Sequence, residues 1–105
     1  MKMLSRVEEI ILLAIWKLRG NAYGVTIREF VSEATNQEWT FGAIYVPLDK
    51  LTRKEFIHKY MSEPTTTRGG RSKCLYELTP EGKQALREIK EMQTALWRGI
   101  SDAAI

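Results

Sequence analysis

The sequence predicts a mainly α-helical fold of the α+β class, with three helices, a two-stranded hairpin and a final helix. Two observations lead to this prediction. In four segments, apolar residues recur at spacings of three and four, which is typical of helices that bury one face. Between the third and fourth segments lie two short runs rich in aromatic and branched residues, Phe56 to Met61 and Lys73 to Leu78, as in paired strands.

Length and composition fit one folded domain over residues 1–105. The chain is 44% hydrophobic and 28% charged, which is ordinary for a soluble domain. Its longest apolar run, Ile10 to Trp16, has seven residues, whereas a membrane span needs about 20. Glu8 and Glu9 precede that run, so it does not resemble a secretory signal. We therefore expect a cytoplasmic protein with no membrane partner, and the single cysteine, Cys74, agrees with a reducing compartment.

The first helix is predicted over Ser5 to Leu18. Ser5 and Glu8 have the spacing of a capping box, in which each side chain satisfies a free backbone N–H of the first turn. Apolar residues cover nearly every face of this helix, so it needs cover on more than one side. Because a domain this small can hardly supply that cover alone, the pattern suggests a second subunit.

The second and third helices follow after short polar breaks. Tyr23 to Ala34 carries an apolar stripe at helical spacing, and Thr40 is a good N-cap for a third helix that extends to about Arg53. Pro47 lies inside the third helix, where proline removes a backbone hydrogen bond and usually introduces a kink. The third helix is therefore expected to be less regular than the others.

The two strand-like runs are predicted to pair as an antiparallel hairpin. Their connector, SEPTTTRGGRS, has eleven residues and is polar, so it should project into solvent. Residues 53–74 carry six Lys or Arg and two Asp or Glu, while the rest of the chain is balanced to within one charge. Such a basic segment is typical of a surface that binds a polyanion, although a solvated loop without a partner fits the charge equally well.

The last helix is predicted over about residues 80–100. It opens with Thr79 as N-cap and Pro80 at the first helical position, where a missing N–H does no harm. Its apolar positions then recur at three and four, which suits a seam against a partner helix. Packing against the chain's own first helix is the alternative, and both arrangements can hold in a dimer. The seam consists of Leu86, Ile89, Gln93, Leu96 and Ile100, with Met92 and Trp97 beside it.

The sequence offers no evident set of residues for catalysis or metal binding. His58 has no cysteine or clustered carboxylate near it in sequence, and Cys74 fits a small core residue better than a nucleophile. The stretch RGGRSK at residues 68–73 lacks the spacing of a phosphate-binding loop and leads into a strand instead of a helix. We therefore predict no enzyme activity, no cofactor and no metal ion.

Three helices followed by a basic hairpin and a further helix predict a winged helix-turn-helix domain, with the hairpin as the wing. In helix-turn-helix modules the recognition helix enters the major groove of DNA, and flanking groups bind phosphates. Gly42 and Ala43 are small residues near the start of the third helix and would let its backbone approach the bases. Lys50 lies toward the other end of that helix, and Arg68 and Arg71 lie on the predicted wing.

Four motifs resemble those of the PadR-like family of winged-helix transcriptional regulators. They are Y-G-x-x-I at residues 23–27, a stretch similar to small-G-T-L-Y at 40–45, a basic glycine-rich turn at 68–71, and Y-x-L-T-x-x-G at 76–82. Each motif is weak alone, but the four occur in the family's order and spacing. The resemblance covers roughly residues 7–90.

The resemblance implies a homodimeric repressor in which the last helix of each subunit packs against the first helix of the other. It implies a winged-helix core at about residues 5–78, a dimerisation helix at about 80–100, a near-palindromic operator in double-stranded DNA and a small hydrophobic or aromatic effector. Family roles and charge together assign to DNA binding Tyr23, Thr40, Phe41, Gly42, Ala43, Tyr45, Lys50, Arg68, Gly69, Gly70, Arg71 and Lys73. The residues expected in the dimer interface are Ile11, Ile15, Trp16, Leu86, Ile89, Met92, Leu96, Trp97 and Ile100.

Three positions depart from the family's pattern. Ala43 replaces a usual threonine and so lacks a hydroxyl, Pro47 lies one position later than the usual proline, and Glu55 stands where a helix-ending glycine is common. Trp16 and Trp97 fit either interface core or the lining of an effector pocket. The alternative function is a winged-helix module that binds another protein through its apolar first and last helices and does not touch DNA.

Overall fold

The computed structural model describes residues 4–63, 72–101, 103 and 105. The strands of this described part pair antiparallel, with Ile57 opposite Leu78 and Met61 opposite Cys74. Three helices, a two-stranded sheet and a fourth helix follow one another along the chain, which confirms the predicted winged helix-turn-helix fold of the mainly α-helical class. The elements are α1 (Arg6–Lys17), α2 (Gly24–Thr35), α3 (Phe41–Arg53), β1 (Ile57–Met61), β2 (Cys74–Leu78) and α4 (Pro80–Trp97).

Side-chain caps fix the starts of α1, α3 and α4, as the sequence predicts. The Ser5 hydroxyl accepts a hydrogen bond from the Glu8 N–H at 3.1 Å, and the Glu8 carboxylate accepts one from the Ser5 N–H at 3.0 Å. The hydroxyls of Thr40 and Thr79 each accept a hydrogen bond from the N–H three residues further on. These bonds satisfy N–H groups that have no partner inside their own helix.

Helix α1 lies at the centre of the hydrophobic core. Ile11, Leu12 and Ile15 have no exposed surface, because α2, α3 and the sheet cover them. The inference that this helix requires a second subunit therefore needs correction, since the chain itself covers most of its apolar faces. Within the run from Ile10 to Trp16, the exposed residues are Leu13 and Trp16. The other core residues are Ala14, Ala22, Ile27, Val31, Ile44, Leu48, Leu51, Ile57, Tyr76 and Leu78.

Helix α3 continues through Pro47 without a break. The proline is buried, and its missing N–H leaves the carbonyl of the exposed residue Ala43 without the usual donor four residues on. Because Ala43 faces water, that carbonyl can be hydrated. The irregularity expected at Pro47 does not interrupt the helix.

The end of α3 is fastened to the start of α4. Glu55 adopts a left-handed conformation with φ of 63°, and the Phe56 N–H donates to the Leu51 carbonyl at 3.1 Å. The Thr79 hydroxyl donates to the Glu55 carbonyl at 2.7 Å, and the Thr79 N–H donates to the Phe56 carbonyl at 3.0 Å. A Cβ on Gly82 would lie 2.0 Å from the Phe56 carbonyl oxygen. The Y-x-L-T-x-x-G motif is therefore a structural joint between α3, the sheet and α4.

Candidate nucleic-acid interface

The start of α3 exposes two aromatic rings. Phe41 is 45% exposed and Tyr45 is 43% exposed, and their rings stack with centroids 6.3 Å apart and an interplanar angle of 26°. The Thr40 hydroxyl is engaged as the N-cap through its 3.1 Å hydrogen bond from the Ala43 N–H. The first turn of a helix also presents backbone N–H groups and the positive end of the helix dipole, which together favour an anion such as phosphate.

Arg28 of α2 fixes the turn that leads into α3. Its guanidinium lies 4.6 Å from the centre of the Phe41 ring, and its Nε donates a hydrogen bond to the Trp39 carbonyl. The Trp39 indole in turn donates to the Thr35 hydroxyl at 2.9 Å. This role of Arg28 is not predictable from the sequence, because Arg28 lies in no recognised motif and contacts a residue that follows a polar break.

Tyr45 rests on the first turn of α2. A Cβ on Gly24 would lie 2.0 Å from the Tyr45 hydroxyl oxygen, so any other residue here would push this ring away from α2. The glycine of the Y-G-x-x-I motif therefore sets how closely α3 packs on α2. Tyr45 and Gly24 therefore bring the motifs at residues 23–27 and 40–45 into contact.

Tyr23 and Lys73 connect α2 to the base of the wing. The Lys73 Nζ lies 4.5 Å from the centre of the Tyr23 ring and 3.4 Å from its hydroxyl oxygen. The backbone supports this contact, because the Tyr76 N–H donates to the Ala22 carbonyl at 2.8 Å and fastens β2 beside the start of α2. Phe41, Tyr45, Tyr23 and Lys73 thus form one connected surface, which we name the α3–wing face.

Other predicted DNA-binding residues fall in two groups. Gly42, Ala43 and Lys50 are exposed on α3. The wing-tip residues Arg68, Gly69, Gly70 and Arg71 lie outside the described residues, so their predicted contacts stay predictions.

Lys54 has a structural partner. Its Nζ lies 2.6 Å from the Glu8 carboxylate, whose side chain is only 8% exposed. Burial favours the neutral acid and would raise the pKa of Glu8, but the hydrogen bond from Lys54, the hydrogen bonds from Ser5 and the Lys54 charge outweigh it. The pKa of Glu8 is lowered as a result, so the pair ties the end of α3 to the start of α1.

The predicted dimer residues do not all share one surface. Ile11 and Ile15 are buried inside the chain and have no surface to offer a second subunit, which corrects that part of the prediction. Trp16 is 41% exposed, and Leu96 and Trp97 near the end of α4 are 68% and 52% exposed. Ile100 beyond α4 is exposed too, and the residues with intermediate exposure are Leu86, Ile89 and Met92.

A groove of about 430 Å³ lies between α1 and α4. Its apolar wall includes Leu13 and Trp16 of α1, and its rim includes Lys83, Arg87 and Lys90 of α4. The Lys83 Nζ lies 5.4 Å from the centre of the Trp16 ring. This mixture of aromatic, aliphatic and cationic groups suits a small aromatic or apolar molecule.

Across residues 4–63 and 72–101, no three His, Cys, Asp or Glu side chains come together in a group suited to a metal ion. No helix in this part of the chain has the length and apolar character needed to cross a bilayer.

Comparison with protein families gives one clear match. The sequence profile described as "Transcriptional regulator PadR-like family" matches residues 11–88. No curated protein matches the chain significantly.

Solved structures with this fold include several transcription regulators. RosR of H. salinarum has 27% identity and a TM-score of 0.71, covering 94% of this chain and 82% of its own. A PadR family transcription regulator from Clostridium difficile has 28% identity and a TM-score of 0.65, covering 91% and 94%. A PadR-like transcription factor from Bacteroides fragilis has 25% identity and a TM-score of 0.69, covering 86% and 82%.

Proposed function

The chain belongs to the PadR-like family of transcriptional regulators, and we propose that within this family it acts as a homodimeric repressor that binds a near-palindromic operator. Members of the family are transcription regulators and not enzymes, so the basic wing and the exposed start of α3 are interpreted as a DNA-binding surface. Family membership supports a DNA-binding regulator, and the repressor role, the dimer, the operator geometry and the effector are proposed beyond it. A role on genomic DNA also agrees with the expected cytoplasmic location.

The observation that carries the proposal is the continuity of the α3–wing face. Tyr45 packs on Gly24, and the adjacent Tyr23 holds the side chain of Lys73, so groups from α2, α3 and β2 adjoin one another. A helix that enters the major groove needs cations beside it that can reach the flanking phosphates. In this proposal α3 enters the major groove of the DNA. The flanking phosphates are bound by Lys50, Lys73 and the predicted wing residues Arg68 and Arg71.

Two copies of α3 would enter successive major grooves of the operator. In helix-turn-helix dimers the half-sites lie about 34 Å, or one helical turn, apart, and the symmetry of the operator mirrors that of the protein. We divide the chain accordingly into a winged-helix core at about residues 5–78 and a dimerisation helix at about 80–100. An inducer would act by changing the distance between the two recognition helices.

Exposed apolar residues at the end of α4 support the dimer. Leu96 and Trp97 project into solvent in the single chain, and Trp16 of α1 is also exposed. Burying such large side chains against a second copy would contribute roughly 1.5–3 kcal/mol each. The groove between α1 and α4 lies beside this surface, and we assign it to a small hydrophobic or aromatic effector.

DNA binding is tested by selecting duplexes from a randomised library with the full chain and then titrating the best duplex at rising salt. We expect specific binding whose affinity falls steeply between about 50 and 200 mM salt, because each phosphate contact releases counterions. Absent or salt-insensitive binding would overturn the proposal. It would favour the alternative, a protein-interaction module that uses α1 and α4.

Sedimentation measurements test the dimer. Leu96→Asp places a charge on the proposed interface and is expected to shift the protein to monomer. Met61→Asp is the matched control, because Met61 is 62% exposed on β1, away from α4. If Leu96→Asp leaves the oligomeric state unchanged, the assignment of α4 to dimerisation fails.

A further inference from the structure

One line of residues on α3 lies directly opposite the core. Ile44, Leu48 and Leu51 point inward and have no exposed surface. At 100° per residue, the positions farthest from them are 42, 46, 49 and 53. This line, which we name the outer line of α3, consists of Gly42, Val46, Asp49 and Arg53, and all four are exposed.

Val46 lies in the middle of the outer line and is not part of the hydrophobic core. It is 56% exposed, which makes it more exposed than the other large apolar residues of α3, Phe41 at 45% and Tyr45 at 43%. A β-branched residue on a solvent-facing helical position also lowers helix propensity slightly. The fold therefore gives no reason for a valine at this position.

The chemistry around Val46 does not suit a phosphate. Valine has no hydrogen-bond donor, and the carboxylate of Asp49 one turn further on repels an anion. Cations stand instead at the sides and end of this face, at Lys50 and Arg53. If α3 lies in the groove with phosphates at its flanks, the middle of the outer line meets the edges of the bases.

In the major groove, the apolar group that a base pair presents is the C5-methyl group of thymine. We propose that Val46 is a specificity-determining residue that contacts a thymine methyl in each half-site of the operator. This inference rests on the proposed DNA-binding function. It names thymine as a base that α3 recognises in the operator.

The test uses deoxyuridine, which pairs like thymidine but lacks the C5-methyl group. The probe is the best duplex selected from the randomised library by the full chain, resynthesised with deoxyuridine at one thymine at a time. For the wild-type chain we expect one thymine in each half-site at which the replacement weakens binding about fourfold. Replacing that thymine in both half-sites should weaken binding about fifteenfold.

Two variants connect that effect to Val46. Val46→Ala removes the contacting methyl groups and is expected to bind the thymidine and deoxyuridine duplexes equally at that position. Val25→Ala is the matched control, because Val25 is a 43% exposed valine on α2 and its variant should keep the full ratio. Both residues are exposed, so neither change disturbs the core.

The possible outcomes separate this inference from the proposed function. Failure of the chain to select any duplex overturns both. Selection of a duplex that tolerates deoxyuridine at every thymine overturns the role of Val46 alone. The same holds if Val46→Ala retains the wild-type ratio between the two duplexes, since the methyl group would then be read by another residue.

Discussion

The ammonium group of Lys73 lies 4.5 Å from the centre of the Tyr23 ring, across 50 residues of sequence. This contact joins the base of the wing to the start of α2. Both residues were assigned to DNA binding from separate considerations, Tyr23 from a motif and Lys73 from charge. Their contact indicates that a lysine held over an aromatic ring can be directed toward the DNA backbone instead of moving freely in solvent.

Replacing Lys73 tests whether that cation meets a phosphate. We expect Lys73→Met to weaken binding to the selected duplex severalfold at low salt and to reduce the slope of log affinity against log salt by about 0.9 per half-site. Lys17→Met is the control, because Lys17 is exposed in the last turn of α1. An unchanged slope for Lys73→Met would exclude this lysine from the phosphate contacts.

Two glycines are expected to respond to alanine in opposite ways. In Gly82→Ala the new Cβ would meet the Phe56 carbonyl oxygen, which belongs to the backbone and cannot rotate away. We expect the free energy of unfolding to fall by about 3 kcal/mol, at the upper end of the range for overpacking. Chemical denaturation measures the change, and a loss below about 1 kcal/mol would mean that the joint between α3 and α4 opens easily.

Gly42→Ala should separate stability from DNA binding. The nearest atom to a new Cβ at Gly42 is the Thr40 hydroxyl oxygen at 3.9 Å, so the methyl group fits. Alanine in a helix should raise the free energy of unfolding by about 0.5–1 kcal/mol. The same methyl group stands between the backbone of α3 and the bases, so we expect weaker binding to the selected duplex. Equal or tighter binding would mean that α3 does not approach DNA at this residue.

The departure from the family's pattern at Glu55 predicts a stabilising substitution. Its left-handed conformation costs a residue with a side chain about 1–2 kcal/mol, while glycine also loses more entropy on folding. We expect Glu55→Gly to raise the free energy of unfolding by roughly 0.5–1 kcal/mol. Glu55→Ala is the control, because it removes the same carboxylate without freeing the backbone. Thermal and chemical denaturation of both variants measure the effect, and equal stabilities would contradict this account.

Local signals in the sequence were sufficient for the order of elements and for several details. The caps at Ser5, Thr40 and Thr79 depend on hydrogen bonds that span three residues, so a short motif contains both partners. The hairpin followed from two runs of strand-forming residues and a polar connector. At Glu55 the sequence showed only a departure from the family's pattern, and the left-handed conformation there is a finding of the structure.

Contacts between distant residues could not be predicted. The apolar pattern of α1 shows that Ile11 and Ile15 need to be covered, but it does not show which element covers them. In the structure the chain's own elements bury both residues. The ion pair of Lys54 with Glu8, 2.6 Å apart, joins residues 46 positions apart in sequence, and charge alone does not reveal it. Arg28 carried no signal, since its partner Phe41 becomes its neighbour only through the turn between α2 and α3.

Arg28 is expected to act by holding the start of α3 in place. Arg28→Ala removes its stacking on Phe41 and its hydrogen bond to Trp39, and we expect weaker DNA binding with a loss of stability of about 1 kcal/mol. Arg19→Ala is a matched control. Arg19 also stacks on an aromatic ring, 4.5 Å from Trp16, and donates to a backbone carbonyl, but it lies after α1. If both variants weaken DNA binding equally, the loss in Arg28→Ala comes from lower stability of the whole chain and not from a displaced α3.

The ion pair between the exposed Lys54 and the buried Glu8 should make stability depend on pH in the acidic range. Because folding lowers the pKa of Glu8 below its ordinary value of 4.5, the ionised carboxylate stabilises the folded chain above that pH. That contribution is lost as the pH falls through the lowered pKa of the folded state. Denaturation series between about pH 7 and pH 3 should therefore show a steeper loss of unfolding free energy for the wild type than for Glu8→Gln.

Lys54→Met isolates the partner of Glu8. At neutral pH this variant leaves a carboxylate that is only 8% exposed without its cation, and we expect a loss of roughly 1–3 kcal/mol. The difference from wild type should shrink in acid, because a protonated Glu8 no longer needs the lysine. Glu77→Gln is the comparison, since the pair of His58 and Glu77 is about half exposed and should contribute at most about 1 kcal/mol. A difference between Lys54→Met and wild type that stays constant with pH would show that Lys54 stabilises the chain through packing of its aliphatic stem and not through its charge.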